Sequence, residues 1–179
     1  MKIRFLLPLL LFMVVIGILG RGLRLHPNVI PSPLINHPAP AFALPSMLHT
    51  GETTTDKNFL GHVTLVNVWA TWCYACAQEH PFLLEISTAP QRDFMLYGLN
   101  YKDDPAKARD WLKQHGNPYQ QIAIDETGDT AINWGVYGSP ETFVLDKKGI
   151  IRYKQTGPIT QEVWAQTLKP LIEKLRNEA

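Results

Sequence analysis

Thr64-Leu65-Val66-Asn67-Val68-Trp69-Ala70-Thr71-Trp72-Cys73-Tyr74-Ala75-Cys76 is the stretch on which the reading of this chain turns. Residues 64–70 are apolar and β-branched on both alternating faces, the pattern of a central strand buried on both sides. The strand runs straight into the only two cysteines of the chain, separated by two residues. Residues 77–86 then read as a helix with Phe82, Leu83 and Ile86 as its core stripe, and Pro81 is expected to kink it because proline lacks the donor for one i→i−4 bond. A strand that delivers Cys-x-x-Cys to the first turn of a helix has the geometry of a dithiol redox centre.

The chemistry follows from that placement. The thiolate is the nucleophile, so a redox cysteine needs a lowered pKa and some access. Cys73 falls at the helix N-terminus, where free N–H groups and the helix dipole favour negative charge. Cys76 lies three residues on, on the same face, within reach of a mixed disulfide on Cys73. Cys73 is therefore the expected attacking thiol and Cys76 the resolving one. A purely structural bridge would close too small a loop to constrain the unfolded chain. A zinc reading has Cys73, Cys76 and His80 but lacks a fourth ligand for a structural site. Glu79 follows Cys76 by three residues and could exchange protons with it, or raise a neighbouring thiol's pKa; the alternative is a solvated helix glutamate. The same argument applies more weakly to Glu141, which follows Pro140.

Outward from the dithiol, strands alternate with helices. Residues 94–100 read as a second apolar strand. Asp104-Pro105 starts a helix with an N-cap and a proline at its first position, Ala108, Trp111 and Leu112 face inward, and Gly116 closes it. Residues 121–124 form a short strand, and Asp129 caps a brief helix over 130–134. Residues 142–145 and 150–156 pair as a hairpin across Asp146-Lys147-Lys148-Gly149. Thr160 caps a last helix with Trp164, Leu168, Leu171 and Leu175 on one face, bent at Pro170. On the upstream side, residues 40–45 suggest a short edge strand and residues 51–58 a polar turn. The sum is an α/β domain, a mixed sheet with helices on both faces.

Before residue 38 the composition changes. Residues 5–20 are an unbroken apolar run, FLLPLLLFMVVIGILG, flanked by Lys2 and Arg4 on one side and Arg21 and Arg24 on the other. Gly22, Leu23 and Leu25 extend it toward the length of a membrane span, and no A-x-A-like cleavage site follows, so an uncleaved anchor over 5–25 is favoured over a signal peptide. The charged amino terminus tips residues 1–4 toward the cytoplasm. Residues 26–37 belong to a proline-rich, semi-rigid linker in which His26 and His37 read as solvated. The globular domain is expected over 38–179.

A chain of 179 residues with 45% hydrophobic types can close one full core beside these extras. A net charge of +1 without a basic block argues against nucleic-acid binding.

Further segments carry a resemblance. They are Pro40-Ala41-Phe42 with Leu44-Pro45, Asn67 to Cys73 as quoted, Glu79-His80, Gly98-Leu99-Asn100-Tyr101-Lys102-Asp103-Asp104, Gly116-Asn117-Pro118-Tyr119, Gly135-Val136-Tyr137-Gly138-Ser139-Pro140-Glu141-Thr142-Phe143 and Gly149-Ile150-Ile151-Arg152-Tyr153. In that order, from about residue 38 to the end, the chain resembles the membrane-anchored thiol:disulfide interchange proteins of cytochrome c maturation, the CcmG/DsbE family. The resemblance implies a thioredoxin-like fold with an N-terminal strand extension and an inserted helix-strand unit over 106–124. It implies a cis Ser139-Pro140 bond facing the dithiol and offering backbone to an extended substrate. Trp72, Tyr74, Ser139 and Pro140 are then the expected substrate contacts, and Glu79 and Glu141 match acidic positions near the active site.

The implied activity is that of a reductase on the periplasmic side of a bacterial inner membrane. It would need no cofactor beyond the redox-active Cys73-Cys76 disulfide and no metal. It would keep the haem-attachment cysteines of apocytochrome c reduced and be re-reduced by a transmembrane thiol donor of the DsbD/CcdA kind. Two other readings are a TlpA/ResA-like reductase with a different client, and a non-catalytic apocytochrome scaffold. The family more often has proline directly after the first cysteine. Tyr74-Ala75 stands there instead, in the dipeptide that helps set the redox poise.

Overall fold

The computed structural model describes residues 3–22, 32–90 and 92–178, with the side chains of the first segment described from Pro8 onward. The chain forms two compact units, residues 1–31 and 32–179.

In the first unit, the backbone of Ile3–Gly22 forms helix α1. Its apolar side chains from Leu9 to Leu19 are exposed. Among the described residues no helix is long and apolar enough to cross a membrane. The expected anchor over 5–25 and linker over 26–37 fall partly on residues 23–31, outside the described residues.

The second unit is built on a five-stranded sheet in the order β5-β4-β3-β6-β7. Its strands are β3 (Thr64–Trp69), β4 (Met95–Tyr101), β5 (Gln121–Asp125), β6 (Glu141–Leu145) and β7 (Ile151–Thr156). β3, β4 and β5 run parallel, while β6 is antiparallel to β3 and β7 to β6. The quoted stretch supplies the central strand, and all six of its residues are buried. Alternation then divides the core. Leu65 and Trp69 face a layer formed with Leu83 and Ile86 of α2 (Tyr74–Thr88), Ala108 and Leu112 of α3 (Pro105–His115), and Leu168, Ile172 and Leu175 of the C-terminal helices. Val66 and Val68 face the other layer, with Phe59, Tyr97, Trp134 and Phe143. Each large side chain so buried contributes about 1.5–3 kcal/mol. Asn67 shares the α2 side of β3 with Leu65 and Trp69, a polar residue set into an apolar layer.

The expected mixed sheet, helices and terminal hairpin are present, with four local differences. Within the polar turn expected at 51–58, Thr53–Thr55 form β2, which pairs with β1 (Ala43–Pro45), and the Thr54 hydroxyl meets the Tyr97 hydroxyl at 2.8 Å. The helix expected at 130–134 is α4 (Asp129–Asn133), but its N-cap is Gly128 at φ 83° and Asp129 is its first residue. The free amides of Thr130 and Ala131 donate to the buried Asp125 carboxylate at 3.3 and 2.8 Å. The helix read over 77–86 is longer at both ends, α2 running from Tyr74 to Thr88 with Pro81 inside it. The bend expected at Pro170 takes the form of a π-turn. Thr160 caps α5 (Gln161–Val163), the π-turn Trp164–Leu168 follows, and α6 (Lys169–Asn177) begins after it. Pro170 has no N–H for the Gln166 carbonyl and its ring crowds that group, so the turn before it widens, with Lys169 N bonding back to Trp164 O.

The compact unit also begins before residue 38. Leu34 and Ile35 pack against the second layer, Asn36 N donates to Ile151 O at 2.7 Å, and Ile151 N donates to His37 O at 3.0 Å.

Candidate active site

At the C-terminal end of β3 the chain turns through Ala70, Thr71 and Trp72 into α2. The turn is held by the β4–α3 loop. Asp103 accepts from Thr71 N and from Thr71 Oγ1, both at 2.7 Å, and from Asn100 Nδ2 at 3.0 Å. Trp72 Nε1 donates to Lys102 O at 2.9 Å. Cys73 is the N-cap of α2, in extended backbone conformation, and its Sγ accepts from Cys76 N at 3.1 Å. Cys73 and Cys76 form a disulfide, with Cα atoms 5.3 Å apart. Both cysteines are buried, whereas the flanking Trp72 and Tyr74 are 58% and 78% exposed. The disulfide is thus largely covered, while its sequence neighbours present exposed rings.

The Ser139-Pro140 bond is cis. Val68 pairs with Glu141, so Pro140 lies one register step further on, at the end of β3 that leads to the dithiol. Pro140 O is occupied, accepting from Gly157 N at 3.0 Å. Among the described residues the Ser139 N–H and C=O make no backbone hydrogen bond. Ser139, more than Pro140, thus has backbone to offer.

Glu79 is not a solvated helix glutamate. It is 3% exposed and lies in the apolar layer between α2 and the sheet. Oε1 accepts from Asn67 Nδ2 at 2.9 Å and Oε2 from Ile159 N at 2.7 Å. Burial pushes its carboxyl from 4.5 up to about 7, against the pull of those two donors. Asn67 Nδ2 also donates to Thr142 Oγ1 at 3.0 Å, and Asn67 Oδ1 accepts from Tyr119 OH at 2.8 Å.

Glu141, expected as a second acid, is fully buried on the other side of the sheet from Thr142. Lys154 Nζ stands 2.9 Å from its Oε2, in an ion contact rather than an aligned hydrogen bond. The same Nζ donates to Gly135 O at 2.8 Å and lies 4.3 Å from the centre of the Tyr137 ring. Burial raises the Glu141 carboxyl and Lys154 opposes the rise. His80, the third residue of the zinc reading, turns its Nε2 to Gly116 O at 3.1 Å and its ring edge to Trp111. Burial lowers its pKa.

Four residues escaped the reading as site components: Asn67, Asp103, Tyr119 and Lys154. Only Asn67 left a signal of its own, as a carboxamide inside a strand buried on both faces.

The Redoxin family model matches residues 35–169. The thiol:disulfide interchange protein DsbE of Allochromatium vinosum is 43% identical over 171 residues, covering 96% of this chain and 93% of that protein. The protein of the same name from Pseudomonas aeruginosa is 44% identical, covering 97% and 94%, and that from Escherichia coli is 41% identical, covering 97% and 96%. Among solved structures, a secreted thiol-disulfide isomerase from Corynebacterium glutamicum superposes with a TM-score of 0.64 at 24% identity, covering 75% of this chain and 85% of that one. The thioredoxin domain of a thiol-disulfide oxidoreductase from Bacteroides vulgatus gives 0.66 at 19% identity, covering 80% and 99%. These two likenesses carry the thioredoxin-like fold.

Proposed function

The chain belongs to the DsbE family of thiol:disulfide interchange proteins, thiol:disulfide oxidoreductases of redoxin type, and from that premise we propose that it is the membrane-anchored, periplasm-facing reductase of apocytochrome c. The observation that carries the reading is the N-cap position of Cys73, whose sulfur receives the Cys76 amide where a thiolate is most favoured. In the reduced protein the Cys73 thiolate attacks one sulfur of a client disulfide and forms a mixed disulfide, expelling the other sulfur as thiolate. Cys76, giving its proton to Glu79, then attacks Cys73 Sγ and releases the client dithiol. The client gains two electrons, and the Cys73–Cys76 disulfide left behind is the bonded state in this structure. A transmembrane thiol donor of the DsbD/CcdA kind returns it to the dithiol. Trp72 and Tyr74 flank the incoming chain, and Ser139 beside Pro140 pairs with its backbone.

The apolar run over 5–20 with its basic flanks supports the anchor over 5–25. Fractionation checks it: the full chain should sediment with membranes, and recovery in the soluble fraction would remove the anchor from the reading. A Cys76→Ser variant should retain clients as mixed disulfides on Cys73, with the haem-attachment cysteines of apocytochrome c among them. Trapped partners that lack such cysteines would move the reading to another client. The reductive direction is tested by the equilibrium potential, which should lie near that of thioredoxin, about −270 mV, and not near the strong oxidants at about −120 mV.

A further inference from the structure

Asn67 has the same side-chain parity as Leu65 and Trp69, in a strand whose six residues are all buried. An apolar residue would fill that place with less desolvation. What the carboxamide provides is a complete set of hydrogen bonds. Its two N–H bonds go to Glu79 Oε1 and Thr142 Oγ1, and its oxygen receives the Tyr119 hydroxyl. The hydrogen-bond partners of Glu79 are thus Asn67 from β3 and the Ile159 amide that precedes the last helices, with Cys76 one turn back along its own helix. Thr142 from β6 and Tyr119 from the segment before β5 stand behind Asn67. Tyr119 is the titratable one among them. Glu141 and Lys154 lie across the sheet, paired with each other.

This arrangement favours the carboxylate. Both Glu79 oxygens accept from donors, and a proton on the side of Oε1 that faces Asn67 would meet its N–H head-on. Rotating the amide by half a turn resolves the conflict. Asn67 Oδ1 then accepts from the Glu79 O–H and from the Thr142 hydroxyl, which can act either way. Asn67 Nδ2 then donates to the Tyr119 oxygen. Tyr119 is 4% exposed, so its own proton loses its acceptor in a buried site. Tyr119 therefore favours the amide orientation that keeps Glu79 ionised, while Thr142 favours neither.

We propose that Asn67 is the positioning residue of Glu79, that its amide reverses when Glu79 takes up a proton, and that Tyr119 biases which way round it stands. The functional weight of the device rests on Glu79 as proton acceptor for Cys76; the device itself does not.

The test is a carbon-13 NMR titration of glutamate-labelled full chain in the disulfide form, with the Glu79 carboxyl assigned by its loss in Glu79→Gln. Asn67→Leu, close in shape, should move the Glu79 midpoint up by about one to two pH units, the worth of a hydrogen bond to a charged group. Tyr119→Phe keeps the ring stacked on Trp69 and never touches the carboxylate, yet should also move the midpoint up, by about half a unit or more. Thr142→Val should leave it in place. Midpoints unchanged in both Asn67→Leu and Tyr119→Phe would overturn the proposal, as would a Thr142→Val shift equal to that of Tyr119→Phe. Should Asn67→Leu fail to fold, the contrast between Tyr119→Phe and Thr142→Val decides alone. The pH profile of dithiol exchange with a peptide disulfide separates the two readings. A profile that follows the NMR midpoint supports both. A profile that stays fixed while the midpoint moves supports the Asn67 assignment and removes Glu79 as the proton acceptor.

Discussion

Lys154 carries its charge into the protein: its side chain is 4% exposed and that of Glu141 only 1%. Two buried charges at 2.9 Å stabilise each other, but neither is stable alone. Lys154→Met should therefore destabilise the domain by about 3–5 kcal/mol in urea denaturation, and adding Glu141→Gln should restore much of that loss. Equal losses in the single and double variants would show that packing around the lysine stem, not its charge, matters. Glu79 gives a different signature. Its carboxyl titrates near 4.5 when unfolded and at about 7 when folded, so between those values the folded state holds more protons. Stability from this group is fully present below pH 4.5 and is lost as pH rises through 7. Between pH 5 and 8 the decline amounts to about 2–3 kcal/mol. Denaturation of wild type and Glu79→Gln at both pH values should show a fall smaller by that amount in the variant; parallel falls would place the Glu79 carboxyl near its ordinary value.

Among the elements, α4 shows how a cap can hide. Two acids compete for its N-terminus: Asp129, exposed and bonded to Thr127 Oγ1, and Asp125, 1% exposed at the end of β5 and receiving two helix amides. Asp125→Ala should cost about 2 kcal/mol, near the upper end for a lost cap, and Asp129→Ala less than half of that, measured by chemical denaturation. The reverse order would return the cap to Asp129. The strand leading to the dithiol was legible because hydrophobic continuity, an abrupt Cys-x-x-Cys and a helical stripe all point the same way. So was Asp104, whose side chain accepts from the two amides just beyond Pro105. Asp125 was not, because its helix partners lie five and six residues on, across a turn that only the fold closes. Three threonines in a polar stretch gave no alternation from which to read β2. Asn67, Tyr119 and Lys154 owe their roles to partners 12, 52 and 13 residues away in sequence, from Glu79, Asn67 and Glu141 respectively, contacts that periodicity cannot see.

At the scale of the molecule, the question is where the folding unit starts. Proline spacing marks a linker up to residue 37, because proline-rich sequence cannot supply a central strand. Six residues of that stretch nevertheless join the second compact unit. They do so as turns along β7, which accept and donate at its first residue, Ile151, while Leu34 and Ile35 cover the layer containing Phe59 and Trp134. A chain cut to residues 32–179 should fold cooperatively and exchange disulfides at the rate of the full chain. A chain cut to 38–179 forfeits two backbone hydrogen bonds and two partly buried apolar side chains, about 2–4 kcal/mol together. Urea denaturation of the two fragments measures the difference, with the exchange rate as control, since Ile151 lies level with Thr64 at the start of β3 through Leu145, whereas the dithiol follows the other end of that strand. Equal stabilities would return residues 32–37 to the linker; a loss confined to the shorter fragment would place the start of the unit that carries the reaction within residues 32–37.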